Sequence, residues 1–178
     1  YNCDQEQVLN RFREDTFKAI DEKFSINPVL HAFQDVVNEY NIDHKLISAF
    51  LDSMEMDLHL TEHTCESYKE YIYGSAEVVG LMCLKVFLKD NPDDYEQLIP
   101  NASALGSAFQ KVNFLRDIKS DFQDRKRVYF PNVDFENFNK CEKEQIEDDI
   151  QREFDFAYEG IIQLPRGVRF GVYTAYIY

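Results

Sequence analysis

Gln110, Asn113, Asp117 and Asp121 are spaced three and four residues apart in the stretch Leu105-Gly106-Ser107-Ala108-Phe109-Gln110-Lys111-Val112-Asn113-Phe114-Leu115-Arg116-Asp117-Ile118-Lys119-Ser120-Asp121. On a helix they share one stripe roughly 80° wide. Two amides and two carboxylates then lie between apolar flanks, Leu105, Phe109, Val112, Phe114, Leu115 and Ile118. Like charges four residues apart cost about 0.2–0.5 kcal/mol on a free helix, and more when desolvated. A hard divalent cation repays that cost. Mg²⁺ or Mn²⁺ takes one or two carboxylates, keeps waters and shares phosphate oxygens. Arg125, Lys126 and Arg127 follow the stripe and suit a phosphate or diphosphate group. The spacing alone also fits a solvated acidic face balanced by those cations. Gly106, one turn before Gln110, costs about 1 kcal/mol relative to Ala in mid-helix, so it points to a close backbone approach.

The elements that must hold this stripe read as helices nearly throughout. Residues 4–24 carry Val8, Leu9, Phe12, Phe17, Ile20 and Phe24 at helical spacing. Asn27-Pro28 reads as the cap and first position of a helix to about Tyr40. Asp43 caps the next, to about Leu60. A long helix spans 64–89. Asn91-Pro92 breaks it and opens a short helix. Pro100-Asn101 is read as a second break that starts the stripe helix at 102. Residues 122–140 read as a loop, a helix follows from about 142 to 163, and Pro165 opens a last one. No alternating strand pattern, repeat or internal linker stands out, so residues 1–178 form a single helical domain.

Composition narrows the partners. The chain has 178 residues, enough for one cored domain, with 44% hydrophobic and 15% aromatic residues. A net charge of −14 argues against nucleic acid, whose phosphates need a basic surface. Metal ions can still reverse the local sign for a phosphorylated substrate. The four cysteines are far apart and read as reduced thiols in a cytoplasmic protein. No run approaches the roughly 20 apolar residues of a membrane span, and no signal peptide is visible. Both ends look cut. The chain starts at Tyr1 without Met, and Tyr178 closes an aromatic run with no helix stop.

A longer pattern surrounds the stripe. Leu105-Gly106, Gln110, Asn113-Phe114, Arg116-Asp117-Ile118, Asp121 and Arg127-Val128-Tyr129-Phe130-Pro131 resemble the second signature of squalene and phytoene synthases, with every fixed position present. Tyr71-Ile72-Tyr73-Gly74-Ser75-Ala76-Glu77-Val78-Val79-Gly80 resembles the family's other signature. It departs at Ile72, where Cys or a small residue is usual, and at Glu77, where Gly, Ser or Ala is usual. The resemblance runs over almost the whole chain and is greatest to bacterial phytoene synthases.

That resemblance implies an all-α isoprenoid-synthase-type bundle with a central cavity, here a fragment of a larger synthase domain truncated at both ends. It implies Mg²⁺ (or Mn²⁺) held by two facing aspartate motifs, with Asn113, Asp117 and Asp121 as one half. The opposing motif would lie upstream of Tyr1, so the fragment alone is expected to be inactive. Asp52 and Asp57, five apart, do not replace it. Gln110, Arg116, Arg127 and Tyr129 match substrate-binding positions, and Tyr71 matches a catalytic cavity tyrosine. A C-terminal substrate tyrosine should fall near Tyr178. The implied partners are prenyl diphosphates, most often geranylgeranyl diphosphate giving phytoene. Farnesyl diphosphate giving squalene (with NADPH) or dehydrosqualene is the alternative, as is a non-catalytic family member. Peripheral membrane contact would suit a hydrocarbon product, and nothing in the sequence sets an oligomeric state.

Two competing patterns remain. His59-Leu60-Thr61-Glu62-His63 has the order of an inverted zinc-protease motif. It falls at a helix end amid polar residues, and surface histidines are the simpler reading. A plain helical interaction domain would need no metal at all.

Overall fold

Polar caps cut this chain into helices where the sequence places them. The computed structural model describes residues 4–60, 63–120, 129–131 and 139–178. The Asp4 carboxylate accepts from the Glu6 and Gln7 amides and starts α1, Gln5–Glu22. Asn27 accepts from the Val29 amide ahead of α2, Pro28–Tyr40, with Pro28 in the first turn. Asp43 does the same for α3, His44–His59. Thr64 and Ser67 exchange hydrogen bonds in a capping box that opens α4, Cys65–Ile72. Asn139 and Glu142 form a second box ahead of α7, Lys140–Ile161. Pro165 precedes α8, Arg166–Ile177.

The expected long helix is present but not regular. After α4 the backbone runs through a π-helical turn, Tyr73–Glu77, into α5, Val78–Phe87. The wide turn falls where α3 presses on it. A Cβ on Gly74 would collide with the carbonyl oxygen of Ala49 and come within 2.8 Å of the Ser53 Cβ. Beyond Asn91 a 3₁₀ turn, Pro92–Asp94, leads directly into α6, Tyr95–Ser120.

The break expected at Pro100 does not occur; Pro100 lies inside α6. Proline in a helix removes one amide bond and costs about 3 kcal/mol. Pro100 itself is exposed, and the packing of its chain neighbours offsets that cost. Leu98 is buried against Leu84, Leu88 and Leu164, while Ile99 and Ala102 pack on two core clusters. One residue on, the Asn101 side-chain amide donates to the Phe156 carbonyl at 2.8 Å.

Three apolar clusters hold the bundle. Ile20, Val37, Leu46, Leu51, Val78 and Leu81 join α1, α2, α3 and α5. Leu84, Tyr95 and Leu98 join α5 to α6 and to Leu164 before α8. Tyr71, Ile72, Phe114, Tyr129 and Phe130 form an aromatic cluster between α4 and α6. The described residues are all-α, without a strand.

Gly106 meets its expectation of close approach. A Cβ there would stand 2.8 Å from the Ala76 carbonyl oxygen and 2.9 Å from the Glu77 Cα, across the π turn. In an open helix Gly→Ala gains about 1 kcal/mol. Gly106→Ala should instead cost about 1–3 kcal/mol in urea unfolding, because overpacking forces α6 off the turn. Gly167→Ala in α8, with nothing within 4 Å, should be neutral or stabilising in the same assay.

Candidate active site

Helix α6 divides two environments. On one side Ala102, Leu105, Gly106 and Phe109 face a cavity of about 680 Å³, closed by α5, the π turn, α7 and α8. Its lining is almost wholly apolar, and its size lies in the range of small-molecule sites, about 300–1,000 Å³. Gln110 lies at this cavity and Asn113 and Asp117 continue α6 beyond it, so the sequence-predicted stripe runs out from an apolar chamber. Of the apolar flanks, Phe114 is 4% exposed, as expected of core. Val112 is 40% exposed and is not core. Leu105 and Phe109 are half-buried because they line the cavity instead of packing against a neighbour.

Asp117 sits at the polar end of the stripe. The Arg116 guanidinium donates to both its oxygens, Nε to Oδ1 at 2.9 Å and Nη2 to Oδ2 at 2.7 Å. This fork couples the expected substrate cation to the expected metal ligand. Asn113 and Gln110 are half-buried on the same stripe. Asp121 and Arg127, and with them most of the expected loop, lie outside the described residues.

Tyr71 and Tyr129 meet in the aromatic cluster. Tyr129 stacks on Phe114 with ring centroids 4.1 Å apart and planes 9° apart, and Tyr71 lies 6.0 Å from both rings. Tyr71 is 5% exposed, and its hydroxyl donates to the Asp57 carboxylate at 3.1 and 3.2 Å. His63 is not a free surface residue. Its ring stands 5.1 Å from Tyr71 and stacks on Tyr129 at 5.8 Å. Thr61 and Glu62 of the zinc-like pattern lie outside the described residues; among the described residues no group of three metal-ligating side chains occurs. Tyr178 ends the chain fully exposed, beyond α8.

Sequence reasoning missed a second polar face of α6. Ser103, Ser107 and Lys111 recur every four residues; Ser103 bonds Glu77 of the π turn, and the other two meet α7. Lys111 donates to Asp149 at 2.6 Å and Glu153 at 2.7 Å, and Ser107 donates to Glu153 at 3.0 Å. The other Glu153 oxygen is buried without a hydrogen bond. Burial alone would pull the Lys111 ammonium down, yet hydrogen bonds to the two carboxylates outweigh it and hold it above the ordinary lysine value. Burial, with Glu153 and Asp149, pushes the nearby Tyr68 phenol far up. The four-residue rhythm was visible, but its partners lie 38 to 46 residues away.

Fold and site together define an all-α bundle with an apolar chamber beside an amide-carboxylate stripe. The squalene/phytoene synthase family model matches residues 3–166, and the chain belongs to that family. It is 31% identical over 187 residues to phytoene synthase of Arthrospira platensis, covering 91% of this chain and 60% of that protein. It is 27% identical over 150 residues to 4,4'-diapophytoene synthase of Staphylococcus haemolyticus, covering 80% of this chain and 50% of that protein. The chain thus spans between half and about three-fifths of these relatives. The crystal structure of squalene synthase HpnC from Alicyclobacillus acidocaldarius superposes with a TM-score of 0.82 at 19% identity, over 99% of this chain and 71% of that one. That likeness establishes the all-α fold.

Glu77, the departure in the first signature, joins the buried charges. Burial raises its pKa, a hydrogen bond with Ser103 lowers it, Glu153 raises it and Lys111 lowers it, with a net upward shift. A carboxyl whose folded pKa is raised binds its proton more tightly folded than unfolded. Stability therefore falls as pH rises from the ordinary glutamate value through the raised one. Glu77→Gln, which keeps the Ser103 partner, should match the parent Tm below about pH 4 and exceed it at neutral pH. A gap of the opposite sign in thermal unfolding across pH would contradict this.

Proposed function

We propose that the protein joins two prenyl diphosphates head to head, with geranylgeranyl diphosphate as substrate and phytoene as product. The observation that carries the reading is the stripe of Gln110, Asn113 and Asp117 leading out of an apolar cavity, in a chain of this family. Two phytoene synthases are 30–31% identical to it, which favours the longer substrate over farnesyl diphosphate.

The donors fit a hard cation. Asn113 and Asp117 present amide and carboxylate oxygen one turn apart, and Asp117 is accessible, its side chain 41% exposed. A bound Mg²⁺ would neutralise the departing diphosphate. Arg116 already forks the Asp117 carboxylate; turning to a diphosphate, it would free that carboxylate and supply bidentate donors. Gln110 would anchor the polar head at the cavity rim. The apolar wall of Val79, Leu105 and Phe109 would bury the prenyl chain and keep water from the allylic cation.

The bonds balance without an oxidant. One allylic C–O bond breaks, and its electron pair leaves with diphosphate. The double bond of the second molecule attacks, and loss of one proton closes a cyclopropane. The second diphosphate then leaves, the skeleton rearranges, and loss of a second proton gives the product. The squalene-forming alternative replaces that last proton loss with hydride from NADPH.

In the native full-length enzyme with excess Mg²⁺, Asp117→Ala should lower turnover of geranylgeranyl diphosphate by roughly 10²–10³-fold or more. Chromatographic assay of phytoene reads it. Activity within about twofold of the parent would sink the metal-ligand role.

A further inference from the structure

Helices α5 and α6 run antiparallel along the cavity, and their contacts mark its length. Gly106 lies against Ala76. One turn on, a Cβ on Gly80 would stand 3.0 Å from the Ala102 carbonyl oxygen. A further turn brings Leu84 to Leu98, which pack together in the core. Small residues therefore line the middle of the chamber, joined by Ala157 and Gly160 of α7. Larger side chains stand at its ends. Phe109 and Gln110 are at the stripe end; Leu98 and Phe87, the last residue of α5, are at the other.

Phe87 differs from its neighbours there. Leu84, Leu98 and Leu164 are almost wholly buried and pack on one another as core. Phe87 is half-buried, and among the described residues it joins none of the three core clusters. Its ring bounds the chamber without belonging to the packing that holds α5 to α6.

The depth matches one prenyl chain and not the next shorter one. From Leu98 to Gln110 is twelve residues of helix, about 18 Å. An extended carbon chain advances about 1.2 Å per bond. The sixteen-carbon backbone of a geranylgeranyl group then runs about 18 Å, and the twelve-carbon backbone of a farnesyl group about 13 Å. With its head at Gln110, the longer chain ends at Leu98 and Phe87. The shorter one stops about one turn earlier, level with Ala102 and Gly80, and leaves the far end of the chamber without contacts. A chain one isoprene unit longer meets the Phe87 ring.

We propose that Phe87 sets the prenyl-chain length, its ring closing the chamber one geranylgeranyl length from Gln110. This rests on the head-to-head condensation proposed above and narrows its substrate. Truncating Phe87 deepens the chamber while the leucine core between α5 and α6 stays in place. Enlarging it makes the chamber shallower.

The test measures kcat/KM of the native full-length enzyme, with Mg²⁺, on farnesyl, geranylgeranyl and geranylfarnesyl diphosphates. The parent should prefer geranylgeranyl diphosphate to both others. Phe87→Ala should raise the geranylfarnesyl-to-geranylgeranyl ratio by roughly tenfold or more, the scale on which an apolar pocket sorts chains by length. Phe87→Trp should raise the farnesyl-to-geranylgeranyl ratio by a similar factor. Phe109→Ala, at the stripe end, should weaken all three substrates and move neither ratio. Lost stability alone would also lower all three together. Either Phe87 ratio within about twofold of the parent overturns the assignment, as does an equal shift in Phe109→Ala or a parent that prefers farnesyl diphosphate. If either Phe87 variant does not fold, Phe87→Leu takes its place. A raised geranylfarnesyl ratio there supports the assignment, and an unchanged one overturns it. A parent that turns over none of the three sinks the functional reading, and this assignment with it.

Discussion

Helix α6 has to satisfy three neighbours at once, and the rest of the structure follows from how closely it approaches them. Its backbone at Gly106 leaves no room for a Cβ against Ala76 and Glu77. That contact sets α6 directly on the π turn, and it fixes the angle at which the apolar face opens into the cavity. On the α7 side, Lys111 and Ser107 reach Asp149 and Glu153. A lysine 8% exposed between two carboxylates offsets its own desolvation only with both partners in place. Geometry on one side and charge on the other leave α6 little freedom to rotate. The stripe of Gln110, Asn113 and Asp117 inherits that rigidity, as a site built on a packed helix should.

What could be read in the sequence was local. Asn27-Pro28, Asp43 and Pro165 mark helix starts because a cap acts within three residues of itself. The stripe was legible for the same reason, since a helix repeats every three to four residues. Pro100 misled because its cost is local while the packing that offsets it, around Leu98 and Asn101, comes from α5, α7 and the start of α8. Val112 misled because a helix facing a cavity on one side and charges on another has no room for core on every apolar position. Asp57 and Lys111 could not be placed, and His63 read as a surface residue, since their partners are defined only once α3, α4, α6 and α7 have packed.

The π turn joins these layers. One extra residue per turn lets Gly74 pass the Ala49 carbonyl of α3 while Ser75, Ala76, Val79 and Gly80 still line the cavity. Such turns are frequent at functional sites because they redirect a helix face without ending the helix. The same turn carries Glu77, which the resemblance marks as a departure. Its backbone serves Gly106, whereas its side chain enters the Lys111 cluster.

That placement bears on the chemistry. Glu77, Asp149 and Glu153 surround one lysine, so the wall behind the cavity carries more carboxylate than ammonium. A negative wall attracts cationic carbon inside the cavity and repels a diphosphate from its depths. A polar head would thereby be kept at the Asn113–Asp117 end, where a divalent ion can reverse the local sign. An acidic chain of net charge −14 is for this reason compatible with a doubly phosphorylated substrate. In the proposed reaction, the charge behind the wall and the stripe would direct the two ends of one substrate molecule in opposite directions along α6.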